Sequence, residues 1–358
     1  MAKNISISEH YRITDLRQQW EELDSKCVER DGNNLPYINY SFYQTYQWNL
    51  FLYEYTRTDI LKRLTSKFCY ILVMSDNTPF AILPMIVTRS SKKARIPSCR
   101  IAGILNIVCP YSTDGHEEEF KKLVQYIKEH HADKHLSFAD VPLRSPFVGI
   151  MKSLGGKFTE RGSYHVPLAQ FETFDDYIGS LSKNIYKNIR KSYNHLTTDG
   201  KLMRLQVYTK DNLPEDNYLR RLWNIYFIRR LMWNKKKVNT INKAIAHAKA
   251  WIEVKSGCCT KSLRKLSNAR LYVLEIDRQP AAFMVIYTDK QHLLMPRLAI
   301  DTAYSRYSPG ILIILESVKL WQKEGITDFD MCRGDERYKT DVGGINEPLC
   351  RTERKVCR

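Results

Sequence analysis

The residue types that general acid–base catalysis requires occur together near the end of the chain, in the run FDMCRGDERYK. Tyr338 can donate a proton to a leaving group, and Asp330 or Asp335 can accept one. The run begins inside an apolar segment, Ile326–Met331, that reads as a strand. Polar residues at the carboxyl end of a strand lie where open α/β sheets bind ligands. The alternative is a solvated loop whose charges pair with one another.

A phosphate-binding turn is predicted at the sequence YSPG, Tyr307–Gly310. Ser308 is a favourable N-cap, and Pro309 suits the first helical position because the amide that proline lacks would have no acceptor there. Gly310 allows a ligand to approach the backbone closely. A helix that begins in this way presents free amides and a positive dipole end, which suit a phosphate or pyrophosphate, and Arg306 adds a cation. Any capped helix begins similarly, so the turn by itself does not identify a ligand.

Hydrophobic periodicity predicts an α/β framework in two halves around these segments. The main elements expected in the first half are the strands Phe68–Met74, Phe80–Thr88, Cys99–Val108 and Leu136–Val141 and the helix Glu117–His130. Those expected in the second half are one long helix over Phe174–Leu196, an antiparallel meander of Arg270–Ile276, Ala281–Thr288 and Gln291–Ile300, and the helix Ile311–Lys323. A length of 358 residues suits two domains. We place them at residues 1–165 and 166–358.

The chain is basic, with a formal net charge of +17, and most of the excess lies in its second half. Such a field attracts an anion: a phosphorylated cofactor, a nucleic acid, an acidic glycan or a membrane surface. On the long helix, Lys183, Lys187, Arg190 and Lys191 form a basic stripe beside the apolar positions. Charge alone does not choose among these partners.

Several function classes find no support in the sequence. There is no apolar run of about 20 residues, and no apolar core of a secretory signal near the first residues. The nine cysteines are an odd number without metal-ligand spacing, so we expect reduced thiols, a cytoplasmic location and no metal site. Neither a Walker-type loop nor GxGxxG occurs.

From about Phe174 to Val356, the chain resembles the GNAT-type acetyltransferase domain of the cellulose-biosynthesis-associated, FemAB-like family. YSPG, the apolar helix after it, and FDMCRGDERYK followed by Gly343 carry this resemblance, and SLSKNIYKNIRK (Ser180–Lys191) resembles the family's basic helix. The first half, with PYINYSFYQTYQW, AILPMIV and PYSTDG, resembles that domain's usual partner. The resemblance implies an α/β (α+β) fold of two tandem GNAT-like domains, each a mixed, mostly antiparallel sheet flanked by helices. The first domain would shape the choice of acceptor.

The resemblance also implies an activity and a set of site residues. An acetyl or other acyl group would pass directly from acyl-CoA, the donor substrate, to an amine or hydroxyl of a sugar or cell-envelope precursor. The strand Gln291–Ile300 would part from its neighbour to hold the donor, Tyr338 would protonate the departing thiolate, and Asp330 or Asp335 would be the base. Residues expected to contact the cofactor are Arg306, Tyr307, Ser308, Gly310, Ile311 and Lys339. Residues expected to contact substrate are Arg333, Lys183 and Arg190.

Two other functions remain open at this stage. FemAB relatives with the same fold use aminoacyl-tRNA, and here AYSRYSPG replaces the usual GNAT phosphate loop, so the donor could be a charged tRNA. A non-catalytic RNA-binding protein that keeps the fold is the second alternative, because aromatic residues interleave with the basic ones. These aromatics are Tyr186, Tyr193, Trp223, Tyr226 and Trp233.

Overall fold

A computed structural model of the chain describes residues 3–31, 40–89, 93–96, 105–234 and 239–354. The chain divides into two compact units, the first made of Met1–Ser163 with Glu347–Arg358 and the second of Tyr164–Asn346. The predicted second domain ran on to residue 358, and this part of the prediction is wrong. The strand Leu349–Arg354 pairs with two strands of the first unit's sheet, so the last residues belong there.

The secondary structure of the described residues is as follows. The strands are β1 (Ile5–His10), β2 (Ser66–Ser75), β3 (Thr78–Thr88), β4 (Lys93–Arg95), β5 (His135–Pro142), β6 (Lys157–Arg161), β7 (Ser163–Val166), β8 (Met203–Tyr208), β9 (Ala269–Ile276), β10 (Gln279–Asp289), β11 (His292–Ile300), β12 (Asp328–Arg333), β13 (Ile345–Asn346) and β14 (Leu349–Arg354). The α-helices are α1 (Arg17–Asp31), α2 (Tyr46–Thr58), α3 (Ile60–Thr65), α4 (Glu117–His130), α5 (Pro146–Ser153), α6 (Phe174–Ser180), α7 (Lys183–Thr198), α8 (Asp216–Trp233), α9 (Thr240–Ser256), α10 (Cys258–Lys265), α11 (Pro309–Lys323) and α12 (Arg337–Asp341).

The sheet of the first unit has the strand order β1-β2-β3-β4-β5-β14-β6. The β2–β3 hairpin turns at Asp76 and Asn77, both with positive φ, as the tight two-residue turns that match strand twist require. The pair β4–β5 is parallel and the other pairs are antiparallel. The predicted strand Cys99–Val108 falls largely on residues 97–104, outside the described residues, but Val108 forms a bridge to Ile82.

The sheet of the second unit has the strand order β13-β7-β12-β11-β10-β9-β8. The predicted meander is present as the antiparallel strands β9, β10 and β11, and β11 is parallel to β12, to which α11 connects it. The apolar side of α11 packs on one face of the sheet. There, the Trp321 indole donates to the Tyr272 hydroxyl at 2.9 Å and its ring centroid lies 4.6 Å from that of Phe329. This packing fixes the end of α11 against β9 and β12, and Gly310 at its start lies close to Ile300 at the end of β11.

The helix predicted over Phe174–Leu196 is two helices, α6 and α7. Leu181 and Ser182 between them have extended ψ values, and the Ser182 hydroxyl accepts from the amide of Ile185 as the N-cap of α7. The apolar spacing misled the prediction because Leu181, although outside both helices, is still buried in the core of the second unit. Local capping chemistry therefore overrides the helical period at this point.

Candidate active site

Strands β11 and β12 are paired at one end and part at the other. Their parallel register runs from His292 opposite Asp328 to Leu294 opposite Asp330, and there it ends. Strand β11 continues along β10 as far as Ile300. The parting of this strand from its neighbour, expected from the family resemblance, is confirmed by this register.

A β-bulge marks the point where the strands part. Val285 of β10 faces Arg297, whereas Tyr287 faces Leu294, so β11 has one extra residue between these pairs. A bulge bends its strand and increases the local twist. Pro296, which has no amide hydrogen to give to a neighbouring strand, lies within it. Both features turn β11 away from β12.

The parted stretch of β11 has a free backbone edge. The amide of Asp301 donates to the carbonyl of Ala281 at 2.8 Å. This hydrogen bond determines which residues of β11 have their backbone groups directed toward β10. Because backbone groups alternate sides along a strand, Ala299 also faces β10, whereas Leu298 and Ile300 present their N–H and C=O groups to the gap. In the part of the chain that the structure describes, no strand pairs with this edge.

Two carboxylates on one face of β12 have pKa values that are shifted in opposite directions. Burial alone would raise the pKa of Asp328, but hydrogen bonds from His165, 2.7 Å away, and His292 outweigh it and hold that pKa below its usual value. Burial, together with the neighbouring Asp328 charge, raises the pKa of Asp330 to about 7. Carboxylates whose pKa values are separated in this way are typical of acid–base sites. Asp330 lies at the last paired position, where the strands part.

A tight turn after Asp330 holds its carboxylate and ends β12. The amide of Cys332 donates to Asp330 Oδ1 at 2.5 Å, and Cys332 has a φ of +57°. A non-glycine residue in this left-handed region carries strain, which is typical of functional sites. The chain then turns at Gly334, which has a φ of +119° that other residues rarely adopt. A Cβ there would lie 2.4 Å from the carboxylate of Glu336, so glycine suits this position.

Lys339 stabilises this turn from within. Its ammonium group donates to the carbonyls of Cys332, Arg333 and Gly334 at 2.7, 2.8 and 3.1 Å and lies 3.2 Å from the carboxylate of Glu336. The residue is 1% exposed. The prediction that Lys339 contacts a cofactor does not fit this geometry, because the protein already uses its three hydrogens.

The other residues of the predicted motif differ in exposure. Tyr338 is half-buried against the core of the second unit, and burial, with a smaller contribution from the charge of Glu336, raises its pKa. Asp335 is exposed, with the Tyr164 hydroxyl 3.5 Å from its carboxylate. Arg333 is half-buried at the end of β12. The raised pKa values thus single out Asp330 rather than Asp335 as the candidate base and keep Tyr338 protonated.

The predicted phosphate turn is built differently from the expectation. Ser308 precedes α11 with a φ of +50°, and its side chain makes no capping hydrogen bond. The amides of Ile311 and Leu312 both donate to the carbonyl of Ser308, at 3.0 and 3.1 Å. Among the amides of the first turn, that of Gly310 donates to no acceptor within the described residues. A Cβ on Gly310 would lie 3.0 Å from a methyl carbon of Ile300, so this glycine lets α11 approach β11.

The side chains of Arg306 and Tyr307 face the end of α7. The Arg306 guanidinium lies 3.1 Å from the carboxylate of Asp199, and the Tyr307 hydroxyl donates to the same carboxylate at 2.8 Å, which raises the pKa of Tyr307. Tyr307 is therefore engaged within the protein. Arg306 is largely exposed, and an exposed ion pair contributes about 0–1 kcal/mol, so an incoming phosphate can compete for it.

The basic stripe is an exposed row of cations on α7. Lys183, Lys187, Arg190 and Lys191 are all exposed, and no acidic side chain of the described chain pairs with them. Of the interleaved aromatics, Trp223 is buried, and Tyr193 is half-buried with its hydroxyl bonded to Glu316. Tyr186 and Trp233 are exposed. Three further consecutive lysines in the sequence, Lys235–Lys237, lie outside the described residues.

Sequence reasoning missed the groups that set the pKa of Asp330. Asp328 and Asp330 are two residues apart and therefore lie on the same face of the strand. The sequence DFD was the available signal that the two carboxylates are neighbours. His165 and His292 come from β7 and β11, far apart in sequence, so only the fold reveals that they meet at Asp328.

A separate group in the first unit has the side-chain types of a metal site. Glu9, Cys69 and His131 place their ligand atoms within 4.8 Å of one another. Lys134 lies 2.7 Å from His131 Nδ1, and burial raises the pKa of the Cys69 thiol to about 12. A nearby ammonium group and a protonated thiol both oppose cation binding, so we propose no metal there.

Comparison with known proteins gives both a family match and a fold. Residues 183–340 match the family model described as "Acetyltransferase (GNAT) domain". No curated protein matches the chain. In the structure described here, no helix is both long and apolar enough to cross a membrane.

Solved structures resemble the chain over nearly its whole length. The structure of FemX is 11% identical with a TM-score of 0.55, covering 99% of this chain and 97% of that one. A tandem GNAT protein from the clavulanic acid biosynthesis pathway is 9% identical with a TM-score of 0.50, covering 98% and 97%. A conserved protein of unknown function from Bacteroides thetaiotaomicron VPI-5482 is 10% identical with a TM-score of 0.50, covering 98% and 100%.

These findings define a protein with two tandem GNAT-like units, each a mixed, mostly antiparallel sheet flanked by helices, as predicted. Within it, residues 183–340 match the acetyltransferase (GNAT) domain model. The narrower resemblance to the cellulose-associated group remains a prediction.

Proposed function

We propose that the second unit transfers an acyl group from acyl-CoA, acetyl-CoA in the simplest case, to an amine or hydroxyl by direct attack. The observation that carries this proposal is the coincidence of the parted strands with Asp330. A carboxyl group with a pKa of about 7 lies at the point where β11 and β12 separate. The family match to residues 183–340 supports the reaction class.

The free edge of β11 suits the donor. The pantetheine arm of CoA carries amide groups, and an extended ligand with amides binds to an open strand edge by adding to the sheet. Leu298 and Ile300 offer the N–H and C=O groups for this pairing. The amide of Gly310 and the exposed guanidinium of Arg306 are the candidate donors to a phosphate at the start of α11.

Asp330 is the proposed general base. A carboxylate with a pKa near 7 accepts a proton from an attacking amine or hydroxyl far better than one with an ordinary pKa near 4. The hydrogen bond from Cys332 fixes the carboxylate, and Asp328, kept ionised by His165, maintains the raised pKa. Tyr338, held protonated by burial, is the proposed acid toward the departing thiolate.

The proposed acceptor is an amine or hydroxyl of a sugar or cell-envelope precursor. This part rests on the resemblance of the sequence motifs alone. Arg333, Lys183 and Arg190 stay proposed substrate contacts, since Lys183 and Arg190 are exposed cations.

The test is an acyl-transfer assay of the purified full chain with acetyl-CoA and a panel of amino sugars, sugars and polyamines. The release of free CoA measures the reaction. We expect kcat/KM to rise with pH through about 7, and Asp330→Asn to lower it about 10²–10⁴-fold and abolish that rise. The matched control is Asp335→Asn, the exposed carboxylate of the same motif, which should change kcat/KM only a few-fold.

Tyr338→Phe should lower kcat, and unchanged turnover would remove Tyr338 from the acid role. An active Asp330→Asn enzyme with an unchanged pH profile would contradict the proposal.

The exposed cations of α7 favour a second candidate, an aminoacyl-tRNA donor. Four exposed basic side chains on one helix suit a phosphate backbone. A salt titration and an activity assay distinguish the two donors. A steep fall of the binding constant for charged tRNA with salt concentration on a log–log plot would favour tRNA. Aminoacyl transfer without acetyl-CoA turnover would also favour tRNA. RNA binding with no transfer at all would favour the non-catalytic alternative.

A further inference from the structure

Helix α9 has two apolar faces, and only one of them is covered. Ala246, Ala250 and Val254 recur every four residues and are buried. At 100° per residue, a second apolar row lies on the opposite side of the helix. This outer stripe consists of Ile241, Ile245, Ala248 and Ile252, all of them exposed.

The outer stripe is long and has an exposed tryptophan beside it. It extends about 16 Å along the helix, at 1.5 Å per residue. Ile241 is 71% exposed, and Trp251 beside the stripe is 51% exposed. A contiguous apolar surface of this kind on a globular domain marks an interaction site.

The charges around the stripe indicate what covers it. Between Arg229 and Lys265, the described residues include eight Lys and Arg residues and a single acidic residue, Glu253. Two of these cations, Lys255 and Arg264, form ion pairs with Asp216 of α8. The carboxylate of Glu253 accepts from the amides of Cys259 and Thr260 at the start of α10, so its charge is already engaged. A second copy of the chain would bring the same excess of positive charge against this one, so charge disfavours self-association. An anionic partner with an apolar layer is required.

We infer that the outer stripe of α9 docks the protein on the surface of an anionic phospholipid bilayer. An amphipathic helix with isoleucine and tryptophan on one side and Lys or Arg around it lies in the plane of such a surface, with its apolar side among the acyl chains. Juxtaposed cations each add about 1 kcal/mol of attraction to anionic lipid. RNA would also attract the cations but would leave the isoleucines exposed to water. The inference is independent of the acyl-transfer chemistry.

The test is co-sedimentation of the full chain with vesicles of phosphatidylcholine alone or with 30% phosphatidylglycerol, an experimental choice of about one anionic lipid in three that gives a strongly negative surface. We expect binding to the anionic vesicles only. Ile241→Ser should lower the partition coefficient about tenfold, equal to about 1.4 kcal/mol. The matched control is Ile60→Ser in the first unit, because Ile60 is 66% exposed and lies outside the stripe. Its partition coefficient should stay at the wild-type value.

A second readout distinguishes insertion from adsorption. Lipids brominated on the acyl chains should quench the tryptophan fluorescence of the wild type, and Trp251→Phe should remove part of that quenching.

Absence of binding to anionic vesicles would overturn the inference. Equal binding by Ile241→Ser and Ile60→Ser, without quenching, would also overturn it and indicate adsorption by charge alone. A dimer in sedimentation velocity that Ile241→Ser dissociates would assign the stripe to self-association, and RNA binding in place of vesicle binding would assign the surface to nucleic acid.

Discussion

Asp330 is the residue on which the proposed chemistry depends, and its environment is built to disfavour its charge. It is half-buried beside Asp328, whose own charge His165 maintains. The amide of Cys332 offsets only part of this cost. A carboxyl group whose pKa is raised to about 7 is useful as a general base. The same environment lowers the stability of the folded protein at any pH at which that carboxyl group is ionised in the unfolded chain.

We therefore predict that Asp330→Asn stabilises the protein in a pH-dependent way. The folded pKa of about 7 exceeds the usual value of 3.8, so the wild type loses stability as pH rises between these values. The gain in the free energy of unfolding from the substitution should be about 2–3 kcal/mol larger at pH 8 than at pH 5, measured by urea denaturation. Asp335→Asn, the exposed control, should show the same small effect at both values. An equal effect of Asp330→Asn at pH 5 and pH 8 would show that its carboxyl is not desolvated.

At the scale of elements, the turn between β12 and α12 is held by a single side chain. Three backbone carbonyls and one carboxylate converge on the ammonium group of Lys339. The motif RGDERYK thus positions Asp330 and Tyr338 through a structural lysine rather than through a cofactor contact.

Replacing Lys339 with methionine should lower the free energy of unfolding by about 3–5 kcal/mol, since it leaves buried acceptors without a donor. Lys187→Met removes an exposed cation of α7 and should change the free energy of unfolding by less than about 0.5 kcal/mol. Chemical denaturation of the two variants measures the difference. If Lys339→Met were as stable as Lys187→Met, the lysine would not hold the turn.

The elements show which parts of this molecule can be predicted from sequence. The meander, α4 and α11 are set by local periodicity and turn residues such as Asp277 and Arg278, and they occur where the sequence predicts them. The bulge at Pro296, the αL turn at Cys332 and the burial of Lys339 depend on contacts between distant segments, which periodicity does not contain. For the same reason, the sequence led to the prediction that Lys339 contacts the cofactor, whereas the folded chain buries it in the turn.

At the scale of the whole molecule, the chain returns to its first unit after completing the second. Strand β14 lies between β5 and β6, inside the sheet of the first unit rather than at its edge. This pairing makes the first unit depend on residues that follow the second in sequence.

A chain that ends at Asn346 should therefore lose the fold of its first unit. Removing an interior strand leaves the facing groups of β5 and β6 unpaired in the middle of the sheet. Limited proteolysis with mass spectrometry should show early cleavage within residues 1–163, and a peptide of residues 347–358 added in trans should restore part of the protection. Cleavage at the wild-type rate would contradict the placement of β14.

The most direct test of the proposed donor site is residue-resolved hydrogen exchange of β11 with and without acetyl-CoA. We predict that the amides of Leu298 and Ile300, which face the gap, exchange fast in the free protein and slow down at saturating acetyl-CoA. The amide of Ala299, already bonded to β10, should be slow in both states. If saturating acetyl-CoA left Leu298 and Ile300 unprotected, the donor would not bind along the parted strand, and the proposed transferase site would be wrong.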